Sequence, residues 1–110
     1  MSDAGLAIKL LERFGARLPK SIAEIEQSLA AFDRSDVLRQ VHTMKGESGS
    51  LSAVGLQEAA DHLEALVRDS TDMRDPEIAR LGAKLAAAAN VCRQRLPQAL
   101  ATLASATNDA

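Results

Sequence analysis

The sequence contains no tryptophan or tyrosine, two phenylalanines and one cysteine among its 110 residues. A single cysteine excludes an internal disulfide and fits a reducing compartment, and we expect Cys92 to be a small buried residue on the last helix. No apolar run approaches the roughly 18–20 residues of a membrane span, and the N-terminus lacks the pattern of a signal peptide. We therefore expect a cytoplasmic protein with no membrane partner.

Basic residues form no block along the sequence. The 13 lysines and arginines are interspersed with 15 acidic residues, and the net charge is −2. Because nucleic-acid-binding proteins usually carry a basic face, we expect no nucleic-acid partner. A metal site built on the two histidines, His42 and His62, would lack a third ligand, so we expect no metal site and no cofactor.

Apolar residues recur at helical spacing along the chain, and most are leucine, alanine, valine and isoleucine. The sequence predicts a helix from about Asp3 to Leu18, which Pro19 restarts or kinks, and a continuation to about Ala31. Three more helices follow. Asp33 or Ser35 can cap the first of them, and the run Asp75-Pro76-Glu77 marks the start of the last. Pro97 bends or ends the last helix, although Leu100 and Leu103 allow another turn or two. The predicted ranges of these three are about 36–50, 53–68 and 76–96.

Short joints between helices of this length favour antiparallel neighbours. We therefore expect an all-α protein, an antiparallel up-down four-helix bundle with an additional N-terminal helix. It is expected to form one domain over residues 1–110, ordered over about 4–100 and frayed over 104–110. The positions expected to face inward are Leu6, Leu10, Leu11, Phe14, Ile22, Ile25, Leu29, Phe32, Val37 (or Leu38), Val41, Met44, Ser48, Leu51, Leu56, Ala60 (or Ala59), Leu63, Val67, Ile78, Leu81, Leu85, Ala88 (or Ala89), Cys92 and Leu96.

One stripe on the second bundle helix carries His42, Lys45, Gly46 and Gly49, whose spacings of three, four and seven place them on a single face. The opposite face is mainly apolar, so the imidazole is expected to point outward. Each interior glycine costs about 0.8–1 kcal/mol relative to alanine. Two glycines beside one histidine therefore indicate close approach by the backbone of another molecule.

A protruding neutral imidazole is a nucleophile that can accept a phosphoryl group and pass it on. Lys45, one turn away, would offset charge on the phosphoryl oxygens. The sequence has no glycine loop of the Walker or kinase type and no metal-holding carboxylate pair. We therefore expect a phosphoryl carrier without kinase activity of its own, which depends on a partner for the phosphoryl group and for Mg²⁺.

The run His42-Thr43-Met44-Lys45-Gly46, followed by Ser48, Leu51 and Leu56, resembles the core motif of histidine phosphotransfer (HPt) domains of bacterial two-component phosphorelays. The resemblance in helix layout covers residues 4–100. It implies a bundle that is phosphorylated on the histidine and exchanges the group with an aspartate of a receiver domain. That domain would belong to a response regulator or to a hybrid sensor histidine kinase. Since the family usually works as a monomer, we expect a monomer.

Gly49 and the run Leu56-Gln57-Glu58 leading to Glu64 resemble the phosphotransfer domain of chemotaxis-type histidine kinases. In those domains a glutamate on the following helix accepts a hydrogen bond from the imidazole, and the matching position here is Glu64. The resemblance implies that Glu64 holds the Nδ1–H tautomer and leaves Nε2 to attack. The alternative is a solvated or arginine-paired glutamate.

Two residues depart from the family's pattern. Ser52 stands where a glycine commonly ends the histidine-bearing helix, so this end is expected to lack a left-handed cap or to be reshaped. Glu47 stands where a small residue is common, and we expect it to be solvated while adding negative charge near the docking surface.

Arg39 and Gln40 adjoin His42 along the helix and are candidate contacts for a partner, although solvated side chains are the alternative. His62 has no comparable neighbours and is expected to face solvent. The alternative function for the whole chain is a helical adaptor or dimerisation module that does not use His42.

Overall fold

Four α-helices make up the computed structural model, which describes residues 3–108. They are α1 (Asp3–Ala30), α2 (Arg34–Ser50), α3 (Val54–Asp69) and α4 (Pro76–Asn108). Each helix packs against the next along the chain, and α1 also packs against α4, so the four close into a bundle. The described residues contain no strand, which confirms the prediction of an all-α helical bundle.

Carboxylate caps set the starts of α2 and α4. Asp33 accepts a hydrogen bond from the backbone N–H of Asp36 at 3.1 Å, and Asp75 accepts one from that of Glu77 at 2.9 Å. Of the two caps that the sequence offered for α2, the structure therefore uses Asp33 and not Ser35. As a result α2 begins at residue 34, two residues earlier than predicted.

The predicted additional N-terminal helix is not a separate element, because α1 runs without interruption through Pro19. A proline inside a helix removes one hydrogen bond and clashes with the preceding turn, at a cost of about 3 kcal/mol. Here the buried positions Phe14, Leu18 and Ile25 keep helical phase on both sides of the proline, and Pro19 itself faces solvent. Packing of one continuous apolar face thus outweighs the local cost.

Helix α4 also continues past its proline. The sequence predicted a bend or an end at Pro97 and a frayed tail from Ala104, whereas the structure has helix through Asn108. Residues 109 and 110, the end of that predicted tail, lie outside the described residues. Leu100 and Leu103, the two residues from which further turns were predicted, lie on this segment and are half-buried.

The core resolves the alternatives left open by periodicity. Val37 and Ala89 are buried, whereas Leu38 and Ala88 are only half-buried. Phe32, predicted to face inward, is instead 48% exposed, because it lies in the turn after α1. Ser48 is fully buried, and its hydroxyl donates to the carbonyl of Met44 at 2.6 Å, which satisfies the polar atom within the helix. The buried hydrophobic residues are Phe14, Leu18, Ile25, Val37, Val41, Met44, Leu56, Ala60, Leu63, Val67, Ile78, Leu85 and Ala89.

Two helices extend beyond the other two. α1 and α4 have 28 and 33 residues, against 17 and 16 in α2 and α3. The start of α1 therefore projects past the turn between α2 and α3, and Leu6 and Leu10, predicted to face inward, are 52% and 45% exposed. Cys92, predicted to be buried, is half-buried beside a groove of about 330 Å³ under this projection, and its burial raises the pKa of the thiol.

Within residues 3–108, no helix has both the length and the apolar character needed to cross a bilayer. The same part of the chain holds no cluster of three or more His, Cys, Asp or Glu side chains arranged around a possible metal ion.

Candidate functional site

His42 lies near the middle of α2 with its ring in solvent. Its neighbours Val41 and Met44 are buried against the other helices, and this fixes the histidine on the outer face. The His42 side chain is 69% exposed. The structure therefore places the imidazole as the sequence predicted, accessible to another molecule.

Glu64 on α3 is hydrogen-bonded to this ring. Its Oε2 lies 2.8 Å from Nδ1 of His42, although only 2% of the glutamate is exposed. An ionised carboxylate can only accept a hydrogen bond, so Nδ1 must carry the proton and Nε2 is left with its lone pair. The structure thus brings together the two residues that the resemblance paired.

Glu64 stays ionised because cations surround it. Lys45 Nζ donates to its Oε1 at 2.8 Å, and Arg68 Nη2 lies 3.4 Å from its Oε2. The hydrogen bond from Lys45 lowers the pKa of Glu64, helped by the one from His42 and opposed by burial of the carboxylate. The arginine-paired alternative for Glu64 therefore holds alongside the histidine contact, whereas the solvated alternative is wrong.

Lys45 lies on the same stripe as His42 but reaches across to α3. Its ammonium contacts Asp61 Oδ1 at 3.1 Å as well as Glu64, and the side chain is 30% exposed. These two hydrogen bonds, the one donated to Glu64 foremost, raise the pKa of Lys45 and keep it charged. The sequence placed Lys45 beside the imidazole and did not anticipate this pairing.

Asp61 is a site residue that sequence reasoning missed. It precedes Glu64 by three positions, so the two carboxylates share one face of α3. Once Glu64 was placed opposite His42, the same antiparallel register would have put Asp61 opposite Lys45. The signal was therefore present in the spacing.

The two glycines of the stripe have different surroundings. A Cβ added to Gly46 would meet no atom within 4 Å, so this glycine leaves an open surface beside the histidine. A Cβ on Gly49 would lie 2.6 Å from Nε2 of Gln57. The space at Gly49 is thus filled by this chain's own glutamine on α3, a different reason for glycine from the predicted approach of a partner.

Arg39 and Gln40 lie one turn or less from His42 on α2. Arg39 is exposed, and within residues 3–108 its guanidinium pairs only with Asp36, at 3.4 Å, whereas Gln40 is half-buried. The Gln40 Oε1 atom has no hydrogen-bond partner among the described residues and belongs to a small groove between α1 and α2. His62 faces solvent on α3, as predicted.

Both departures from the family pattern are accommodated in ways that the sequence did not indicate. Ser52 itself adopts the left-handed conformation, with φ of 58°, so the predicted loss of a left-handed cap is wrong. Backbone N–H groups of Ser52 and Ala53 donate to the carbonyls of Gly49 and Ser48 at 3.2 and 2.9 Å, closing the helix end. Glu47, predicted to be solvated, forms an ion pair with Arg17 of α1.

The sequence matches the family model of the Hpt domain over residues 9–106. The chain therefore belongs to the Hpt domain family and acts in histidine phosphotransfer of two-component signalling. Its fold is similar to that in the crystal structure of the HPT domain of an Hpt sensor hybrid histidine kinase from Shewanella. The TM-score is 0.63 at 23% sequence identity, over 87% of this chain and 84% of that one. A comparison with curated proteins finds no match.

Proposed function

We propose that His42 is the phosphoacceptor and that it exchanges a phosphoryl group with the aspartate of a receiver domain. The receiver would belong to a response regulator or to a hybrid sensor histidine kinase. The observation that carries the proposal is the exposed imidazole whose Nδ1 donates to the nearly buried carboxylate of Glu64. This contact selects the neutral tautomer in which Nε2 is the free nucleophile.

In the proposed transfer the imidazole of His42 attacks the phosphoryl group, and the carboxylate of Glu64 balances the positive charge that the ring acquires. The Nε2 lone pair attacks phosphorus, the bond to the receiver aspartate breaks, and its electron pair leaves with the aspartate oxygen. The phosphorylated ring then holds a positive charge with its proton still on Nδ1. Glu64, held ionised by Lys45 and Arg68, stabilises that charge at a distance of 2.8 Å. Reversal of the same steps returns the group to a receiver.

Lys45 is the residue that would offset the negative charge of the phosphoryl oxygens. Its ammonium is held on the same face as the imidazole by Glu64. The remaining requirements of phosphoryl transfer, Mg²⁺ and the carboxylates that bind it, would come from the receiver domain. We accordingly propose a carrier with no cofactor and no kinase activity of its own, which acts as a cytoplasmic monomer.

The docking surface for the receiver is proposed to centre on Gly46, where nothing would obstruct an approaching backbone. Arg39 and Gln40 flank the histidine on the same helix and are the proposed contacts for the receiver. Gly49 lies on the same stripe, but the space beside it is occupied by the side chain of Gln57, so we do not place a receiver contact at Gly49 itself.

We also infer that the bundle has the up-down arrangement. The helices are joined by short connections, of three residues at 31–33 and 51–53 and of six at 70–75. Connections this short favour antiparallel packing of each helix against the one before it. Residues 1–110 are proposed to form a single domain on this basis.

The test is phosphorylation by a phosphorylated receiver domain or by a histidine kinase with labelled ATP. We expect label that is acid-labile and alkali-stable, absent from His42→Gln and retained in His62→Gln. The second variant is the matched control, because His62 is an exposed histidine on the neighbouring helix. Label that survives in His42→Gln, or no label with any active donor, would refute the proposal and favour a helical adaptor.

A further inference from the structure

Lys45 lies between two carboxylates of α3 that differ sharply in their exposure to solvent. Its Nζ is 2.8 Å from Glu64 Oε1 and 3.1 Å from Asp61 Oδ1. The side chain of Glu64 is 3% exposed and that of Asp61 is 59% exposed. The Lys45 ammonium thus donates to one buried carboxylate and to one solvated carboxylate.

The two ion pairs differ in what it costs to break them. A buried carboxylate that loses its cation is left uncompensated, whereas an exposed one is rehydrated by water at little cost. Glu64 therefore retains Lys45 firmly, and the contact to Asp61 is the one that can be given up. Among the described residues, no cation other than Lys45 pairs with Asp61.

We propose that Asp61 is a positioning residue that competes with the phosphoryl group of His42 for Lys45. The inference rests on the proposed role of His42 as phosphoacceptor. When the ring is unmodified, Lys45 is held between Glu64 and Asp61. When Nε2 carries a phosphoryl group, Lys45 keeps Glu64 and exchanges its contact with Asp61 for one with a phosphoryl oxygen.

This competition gives Asp61 a defined effect on phosphoryl transfer. Phosphorylation must separate Lys45 from Asp61, which leaves the Asp61 carboxylate without its cation in a region that has just gained negative charge. Asp61 consequently opposes loading of His42 and favours release of the group to an acceptor. A domain with this carboxylate would pass its phosphoryl group on more readily than one without it.

The experiment compares Asp61→Asn with Asp69→Asn in the whole chain. Both variants remove one negative charge by the same substitution on α3, and Asp69 lies two turns further along at the end of the helix. The phosphoryl donor is phosphoramidate, whose P–N bond breaks to release ammonia as the new bond to Nε2 forms. This donor makes the measurement independent of any partner protein.

We expect His42 of Asp61→Asn to be phosphorylated faster than that of the wild type and to lose the phosphoryl group to water more slowly. Each rate should change by roughly twofold to fivefold, as for loss of one exposed ion pair. Asp69→Asn should match the wild type. In a Lys45→Gln background, Asp61→Asn should have no further effect, because the competition acts through the lysine. Titration of Lys45 Nζ by NMR should show a lower pKa in Asp61→Asn, since Asp61 is one of the groups that raise it.

Three results would overturn the inference. Equal rates in Asp61→Asn and Asp69→Asn would show that Asp61 has no specific role. An effect that persists with Lys45 replaced would show that Asp61 acts directly by charge repulsion. Absence of any phosphorylation of wild-type His42 would remove the proposed function and this inference with it, and the wild-type control separates that case from the first two.

Discussion

Nδ1 of His42 lies 2.8 Å from Oε2 of Glu64, so a largely exposed imidazole is tied to a carboxylate that is almost entirely buried. The buried partner limits rotation of the ring and fixes its tautomer. Its charge is balanced from the other side by Lys45 and Arg68. The exposed ring is therefore held by a group that is itself almost inaccessible to solvent.

Replacing Glu64 with glutamine should slow phosphorylation of His42. The amide oxygen can still accept from Nδ1, but it carries no charge with which to stabilise the phosphorylated ring. We expect a loss of roughly tenfold in the rate of loading by phosphoramidate, the difference between a charge-assisted and a neutral hydrogen bond. An unchanged rate together with an unchanged NMR titration of His42 would show that Glu64 does not tune the histidine.

The same substitution should have a pH-dependent effect on folding. The folded-state pKa of Glu64 lies below the ordinary value, so its ionised form stabilises the fold above the unfolded pKa, and this is lost as pH falls through the folded pKa. We expect Glu64→Gln to lower the free energy of unfolding by about 1–3 kcal/mol at neutral pH. The gap should shrink as the pH falls below about 4.3, the usual value for glutamate.

Urea unfolding of Glu64→Gln and wild type, measured in steps from neutral to acid pH, checks this prediction. Glu58→Gln is the control, because Glu58 is exposed on the same helix and should show little difference at any pH. A gap for Glu64→Gln that stayed constant across the pH range would mean that the charge of Glu64 is not the source of the stability.

Ser52→Gly should stabilise the protein. Ser52 holds φ at 58°, a conformation that costs a residue with a side chain about 1–2 kcal/mol and glycine almost nothing. Part of this gain is offset by the greater freedom of glycine in the unfolded chain, so we expect a net increase of roughly 0.5–1 kcal/mol. Thermal or urea unfolding measures it, with Ser50→Gly in the last turn of α2 as a control that should destabilise. Destabilisation by Ser52→Gly would contradict the left-handed cap.

Gly46→Ala should separate stability from docking. An added Cβ meets no atom within 4 Å, so the variant should gain the roughly 0.8–1 kcal/mol of stability by which alanine exceeds glycine in a helix.

Gly46→Leu should also fold, but its side chain would lie where the backbone of a receiver is proposed to approach. Transfer from a phosphorylated receiver should therefore fall at least about tenfold. Loading by phosphoramidate, which needs no docking, should change little. Normal transfer to Gly46→Leu would exclude this part of the surface.

Much of the fold could be predicted because helical periodicity and cap residues act locally. Asp33 and Asp75 cap their helices, and the buried faces of α2 and α3 follow the predicted stripes. The continuation of α1 through Pro19 could not be predicted from local propensity, since packing along the whole helix decides it. The exposure of Leu10 likewise depends on how far α1 extends beyond the shorter helices, which is a property of the assembled bundle.

The part of the site that lies on one helix could be predicted from residue spacing. His42 and Lys45 were placed on one face by their separation, but the direction in which the lysine turns depends on what α3 presents to it. Asp61 went unnoticed because nothing in its immediate sequence distinguishes it from a solvated carboxylate. Only the register between α2 and α3 brings it to the ammonium.

The position of the phosphoryl group on the His42 ring tests the proposed transfer most directly. Protein with ¹⁵N-labelled histidine, loaded by phosphoramidate or by a phosphorylated receiver, can be examined by NMR to identify the modified nitrogen. We expect phosphorylation of His42 at Nε2, with the proton retained on Nδ1 against Glu64. Phosphorylation at Nδ1, or a modified residue other than His42, would contradict it.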